Sequence, residues 1–167
     1  MSDIHLTPHG EKIIGLDPVA SLDRALKHAL VEHSDACHLV FTGDLTHYGN
    51  QEEYSILKDL IKDIKIPITF LMGNHDKREP FCEVFKSVSL DEYGFLQSAT
   101  SFKDHTLLFL DTLNLPYAEG DKNKGFLCTD RLAWLEKQLD FAKGRKVIVF
   151  MHHPAFPVGF KAMDKIR

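Results

Sequence analysis

The chain has 167 residues, 44% of them apolar and 26% charged, enough for one globular domain with a sizeable core. A formal net charge of −4 speaks against a broad surface for nucleic acid or anionic membrane, so neither partner is expected. No apolar run approaches the roughly 18 residues of a membrane span, and no charged-then-apolar leader opens the chain. The three cysteines, Cys37, Cys82 and Cys128, are too scattered for a disulfide framework or a thiolate zinc site, which fits a reducing cytoplasm.

In chain order, "DPVASLDRALKHALVEHS" predicts a helix, with Asp17 as N-cap, Pro18 in the first turn and Val19, Leu22, Leu26 and Leu30 along one face. "CHLVF" predicts a short buried strand ending at Thr42-Gly43-Asp44. "NQEEYSILKDLIKDI" predicts a second helix, opened by a capping box of Asn50 and Glu53 and striped by Tyr54, Leu57, Leu60, Ile61 and Ile64. "IPITFLM" is a second strand, and "REPFCEVF" a short helix. "FLQSATSF" and "HTLLFLD" form an expected hairpin. "LNLPYAEGDKNKGF" reads as a loop. "TDRLAWLEKQLDFA" is a helix with Thr129 as N-cap and Leu132, Leu135 and Leu139 inward, and "KVIVFMHH" is a last apolar strand. Continuous apolar strands alternating with helices predict a single α/β domain over 1–167, with no internal repeat or linker.

Polar clusters fall just past the C-terminal ends of apolar strands. Asp44 follows "LVFTG", Asn74 and His75 follow "TFLMG", and His152 follows "VIVFM". Side chains at such strand ends converge on a crevice in open α/β sheets. The glycines at 43 and 73 permit a sharp departure from the strand. Carboxylate, amide and imidazole without thiolate suit Mn, Fe, Zn or Co. "Asp3-Ile4-His5" adds another pair, which alternation places on one side of an extended segment. A carboxylate such as Asp44 can bridge two cations, and two-metal sites perform in-line displacement at phosphorus.

Duller readings attach to several of these residues. Asp111 is expected to cap a turn and Asp76 to cap the short helix, rather than to orient His75. Lys77 and Arg78 read as a solvated pair, and His28 and His33 as polar-face residues. Trp134 reads as core or interface. His153 is open between substrate contact and surface exposure.

The order Asp-x-His, Gly-Asp, Gly-Asn-His-Asp, His-His-Pro resembles the calcineurin-like metallophosphoesterases. The strings "SDIHL", "TGDLTHYGNQEEY", "GNHDKRE", "MHHPAFPVG" and "GFLCTDRLAWLEKQL" resemble the bacterial class III cyclic-nucleotide phosphodiesterases and the related glycerophosphodiesterases, over nearly the whole chain. The resemblance implies an α/β/β/α sandwich and two divalent metal ions (Fe, Mn, Zn or Co). Asp3 and His5 would bind the first metal, Asp44 would bridge, and Asn74 and His152 would bind the second. Asn74 and His75 would face the substrate, with His75 as the catalytic group that is not a ligand. A metal-bound hydroxide would attack a small phosphodiester such as a 3′,5′-cyclic nucleotide or a glycerophosphodiester. The alternatives are a phosphomonoesterase on the same site, or a degenerate, non-catalytic domain of this fold. A homo-oligomer stays open.

Two departures from the family pattern set further expectations. Only Met1 and Ser2 precede Asp3, where members carry an apolar first strand, and the family's later Gly-His-x-His motif is not found in the sequence. The chain therefore reads as a family member short at both ends. Its first ligand pair is expected on an unanchored terminus, with weak metal occupancy and exposed strand edges.

Overall fold

Strands and helices alternate as the sequence predicts in the structure, a computed structural model that describes residues 1–114, 121, 123–161 and 163–165. The chain divides into two compact units. The first comprises Met1–Phe70 and His75–Val88, the second Leu71–Asn74 and Ser89–Arg167.

In the first unit, α1 (Pro18–Glu32) begins where Asp17 accepts a hydrogen bond from the Ala20 N–H, and it buries Pro18, Leu22 and Leu26. Leu30, expected on that inward face, is partly exposed at the far end of the helix. Strand β1 (Leu39–Phe41) pairs in parallel with β2 (Ile68–Phe70), Phe41 opposite Phe70. A parallel pair needs a crossover, and α2 (Gln51–Ile61) supplies it. The capping box is formed: the Asn50 side chain accepts from the Glu53 N–H, and the Glu53 carboxylate accepts from the Asn50 and Tyr48 N–H groups. A short α3 (Arg78–Val84) follows β2. The core between these elements is largely aromatic. Phe41 stacks on Phe70 at 5.5 Å, and Phe81 lies within 5.5 Å of the rings of Phe70, Tyr54 and Phe85. Burying such rings stabilises by about 1.5–3 kcal/mol each.

Residues 1–6 are not a loose terminus. The backbone N–H groups of Asp3, His5 and Leu6 donate to the carbonyls of Gly43, Asp44 and Leu45, and Met1 O accepts from Thr42 N–H. Leu6 makes a parallel bridge to Thr46 and is fully buried. The expected unanchored ligand pair is thus corrected. Backbone hydrogen bonds to the segment just after β1 hold it.

In the second unit, the hairpin of β3 (Ser98–Phe102) and β4 (His105–Phe109) is antiparallel, and β4 pairs in parallel with β5 (Lys146–Phe150). The crossover from β4 to β5 carries α4 (Thr129–Phe141). A 3-10 turn spans Met163–Lys165. Part of the loop expected over 113–126 lies outside the described residues.

Helix α4 departs from the sequence reading in two ways. Its N-cap is Cys128, with Thr129 already helical, and no side chain caps it. Its inward face is Arg131 and Trp134, whereas Leu132 and Leu139 are 50% and 43% exposed. The helix is rotated by about one residue from the leucine stripe because Arg131, though charged, finds partners inside. It donates to the carbonyls of Asp111 and Leu113 at 2.7 and 3.0 Å, and its guanidinium lies 4.6 Å from the Phe95 ring. Strand β5, apolar as the sequence predicts, leaves Ile148 and Val149 about two-fifths exposed.

Candidate metal centre

The first unit gathers Asp3, His5, Asp44 and His75. Asp44 leaves β1 through Thr42-Gly43, with Gly43 at φ 99° and Asp44 itself at φ 49°. That left-handed turn aims the carboxylate back over the strand end. Asp3 and His5 also have positive φ, 53° and 42°, so their segment is not the plain extended strand that alternation suggested. Both side chains nonetheless reach one point: donor atoms of Asp3, His5 and Asp44 lie within 4.8 Å of one another. Positive φ in non-glycine residues costs about 1–3 kcal/mol each and clusters at functional sites.

Asp44 is 4% exposed. One of its oxygens accepts the His75 N–H at 2.9 Å, and the other lies 3.5 Å from His5 Nε2. The longer separation is wide for a hydrogen bond. It matches the edge of about 3.4 Å between two donors each about 2.1 Å from one tetrahedral cation. Burial holds the His5 imidazole below its ordinary pKa against the pull of Asp44, and His75 and His47 push it further down. A neutral imidazole is the form that ligates metal. His5 Nδ1 is buried with no hydrogen-bond partner among the described residues. The residues present therefore fit a divalent cation.

His75 stands beside this cluster, its ring edge-on to His5 at 4.6 Å. Its Nδ1 lies 2.8 Å from the His47 carbonyl, which can only accept, so Nδ1 carries the proton and Nε2 is the atom offered outward.

Asp76 corrects the sequence reading. It does not cap α3, whose N-cap is Lys77 without a side-chain bond. Asp76 is 1% exposed. Its carboxylate accepts from Leu45 N–H at 3.1 Å, Thr46 N–H at 3.3 Å, the Thr46 hydroxyl at 3.2 Å and the Tyr54 hydroxyl at 3.1 Å. It ties the turn that follows Asp44 to the turn that carries His75. Lys77 is exposed, as are His28 and His33, in keeping with solvated side chains.

Asn74 and His152 belong to the second unit. His152 follows β5, and its ring meets that of His153 at 4.9 Å. His153 is not the surface group that one of the two sequence readings allowed: it is 2% exposed, with Nδ1 2.8 Å from the Thr112 hydroxyl. Burial first, then the neighbouring His152, lowers its pKa to about 4, so it is neutral. Gly125 leaves room for its ring, since a Cβ there would sit 2.4 Å from His153 Cβ. Asp111 does more than cap a turn. It is fully buried, accepts from the Leu96 and Leu113 N–H groups, and lies 3.9 Å from Arg131 Nη1.

His47 is not among the candidates named from the sequence. Its ring lies 5.6 Å from that of His5 and 5.2 Å from that of His75, and one nitrogen from each of the three comes within 4.8 Å of the others. The only signal was its position three residues after Asp44, within one turn of chain.

Residues 1–166 match the sequence model of the calcineurin-like phosphoesterases. The chain belongs to the calcineurin-like phosphoesterase family. It is 39% identical to a probable cyclic nucleotide phosphodiesterase of Rhodopseudomonas palustris, over all of this chain and 60% of that protein. It is 30% identical to a glycerophosphodiester phosphodiesterase of Enterobacter lignolyticus, over 99% of this chain and 59% of the relative. It is 28% identical to a 3′,5′-cyclic adenosine monophosphate phosphodiesterase of Pseudomonas aeruginosa, over 99% of this chain and 58% of the relative. The chain thus spans about 60% of the length of these curated relatives. Calcineurin-like phosphoesterases use divalent metals, in keeping with the donor set above. The α/β class expected from the sequence agrees with the helices and mixed sheets seen here. Among the described residues, no helix is long and apolar enough to cross a membrane.

Proposed function

We propose that this calcineurin-like phosphoesterase is a two-metal phosphodiesterase acting on a small phosphodiester, such as a 3′,5′-cyclic nucleotide or a glycerophosphodiester. The observation that carries the reading is the meeting of Asp3, His5 and Asp44 donors within 4.8 Å beside His75. The activities for which the three relatives are named point to diesters rather than monoesters. Cys37, Cys82 and Cys128 form no disulfide among the described residues, in keeping with a reducing compartment such as the cytoplasm.

In this reading Asp3, His5 and Asp44 would hold the first cation, and Asn74 and His152 would be donors to another. The part of Asn74 and His152 rests on the family resemblance alone. When bound, the cations supply Lewis-acid polarisation of the phosphate and a nucleophile at neutral pH. The protein's own contribution is positional. Asp76 fixes the Asp44 turn, and the Asp44 carboxylate, by accepting the His75 N–H, fixes the backbone from which His75 projects. The His47 carbonyl holds the His75 Nδ1 proton, so Nε2 is the atom that faces outward, and when it too carries a proton it can donate to a non-bridging oxygen or protonate the leaving oxygen. With its oxygens held by cations, Asp44 would have none to spare as nucleophile.

The test is hydrolysis of bis(p-nitrophenyl) phosphate against p-nitrophenyl phosphate during Mn²⁺ titration of the chain. Metal-dependent turnover of the diester in preference to the monoester is expected. His75→Ala should keep its metal and lose on the order of 10²–10⁴ in turnover. Preference for the monoester would favour a phosphomonoesterase. Metal binding with no turnover of either ester would favour a non-catalytic domain.

A further inference from the structure

We propose that His47, with His5 and His75, forms an alternative cation site in the first unit, filled only when His5 does not hold the cation of the carboxylate set and His75 Nε2 does not act on substrate: an all-imidazole site that takes a nitrogen-preferring divalent ion such as Zn²⁺ without help from a carboxylate.

Three observations carry it. The first is proximity. One ring nitrogen from each of His5, His47 and His75 lies within 4.8 Å of the others. Donors at about 2.1 Å from one tetrahedral ion stand about 3.4 Å apart, so the three rings need to draw inward to close the set. The second is unspent donor capacity. His47 Nδ1 and His5 Nδ1 are both buried from solvent with no hydrogen-bond partner among the described residues. An orphaned buried polar atom costs about 1–3 kcal/mol, and a ligand satisfies it. The third is the tautomer of His75. Its Nδ1 proton is spent on the His47 carbonyl, so Nε2 is the atom with a lone pair to give. A carbonyl acceptor of that kind is the outer partner that raises the basicity of a ligating imidazole and fixes its ring.

The ring geometry agrees. His47 and His75 are nearly parallel, at 29°, while His5 stands edge-on to both, at 65° and 88°. Three imidazoles facing one another in this way repel if protonated and share an ion if neutral. The position of His47 is fixed locally. It follows the Thr46 turn that Asp76 clamps, its N–H donates to Leu6 O at 2.8 Å, and its ring rests edge-on to Tyr48 at 4.7 Å. His5 belongs to both donor sets, the oxygen-rich one with Asp3 and Asp44 and the nitrogen-only one with His47 and His75. The two sets differ in the metal they prefer. Imidazoles favour Zn²⁺, Ni²⁺ or Cu²⁺, whereas the carboxylate-rich set accepts Mn²⁺ readily. The site does not depend on the phosphodiesterase reading, because it needs no substrate and no residue of the second unit.

The test uses the 167-residue chain with Zn²⁺ alone and Mn²⁺ alone as probes, by isothermal titration. His47→Gln should weaken Zn²⁺ binding by on the order of tenfold or more and leave Mn²⁺ affinity unchanged. Zn²⁺ affinity equal to that of the unsubstituted chain would overturn the proposal. Equal losses for both metals would overturn it too, because they would make His47 a support of the carboxylate set and not a site of its own. A measurement free of any variant settles the matter if His47→Gln fails to fold. In ¹⁵N-histidine spectra of the unsubstituted chain, Zn²⁺ should move the ring nitrogens of His5, His47 and His75 together. His47 ring signals that stay put at Zn²⁺ saturation would overturn the proposal.

Discussion

Asp44 in the first unit and Asp111 in the second begin from the same sequence pattern, an acidic residue at the end of an apolar strand, and end with opposite jobs. Both are buried. Asp111 faces a guanidinium, Arg131 Nη1 at 3.9 Å, and accepts two backbone N–H groups. Its charge is matched by a cation the chain itself provides. Asp44 faces imidazoles instead, with His5 Nε2 at 3.5 Å and His75 approaching through its backbone N–H. A buried carboxylate next to arginine is structural. A buried carboxylate next to ligand-type groups, on a strained turn, is the candidate for function.

The sharpest way to break the structural half of this contrast is Arg131→Leu. It strands the Asp111 carboxylate in the interior and removes the donor to two carbonyls. Breaking a buried pair by removing one partner costs about 3–5 kcal/mol, which a urea unfolding curve would read. Asp111→Asn added to that variant should recover part of the loss. No recovery would mean that Arg131 acts mainly through its carbonyl and ring contacts.

A smaller effect is expected on the functional half. Asp76→Ala leaves the N–H groups of Leu45 and Thr46 and the Tyr54 hydroxyl without their acceptor. A cost of about 1–3 kcal/mol follows from one such orphaned group. Because these groups lie on the Asp44 turn, Mn²⁺ affinity should fall as well. Unchanged Mn²⁺ affinity would separate the clamp from the site.

The smallest effect should come from a residue that serves neither carboxylate. Asn50→Ala removes the α2 cap and should cost about 1 kcal/mol, with metal binding untouched. A larger loss, with metal binding reduced, would mean that the capping box also holds the turn at Tyr48 in place for the site.

What could be read from the sequence follows a physical line. Local rules were legible: the Asp17 cap, the Asn50–Glu53 box, and the hairpin at Ser98–Phe109 each depend on neighbours within a few residues. The strand-end position of Asp44 and His75 was legible for the same reason. Long-range polar partners were not. Arg131 reads as a surface residue until Asp111, Leu113 and Phe95 are placed around it, and this misplacement rotated α4. Asp76 reads as a helix cap until the buried N–H groups at Leu45 and Thr46, some thirty residues away, are seen to need it. The anchoring of residues 1–6 is likewise a backbone matter, invisible in side-chain pattern. His47 stayed hidden because a histidine outside a known motif carries no signal until its neighbours are located.

The most direct test of the claim that Asp44 carries the metal centre compares two conservative changes. Asp44→Asn and Asp111→Asn keep shape and remove one charge each, and Mn²⁺ binding is measured for both against the unsubstituted chain. The account predicts that Asp44→Asn loses affinity by on the order of 100-fold while Asp111→Asn, though less stable, binds as before. Mn²⁺ binding that survives Asp44→Asn intact would contradict it.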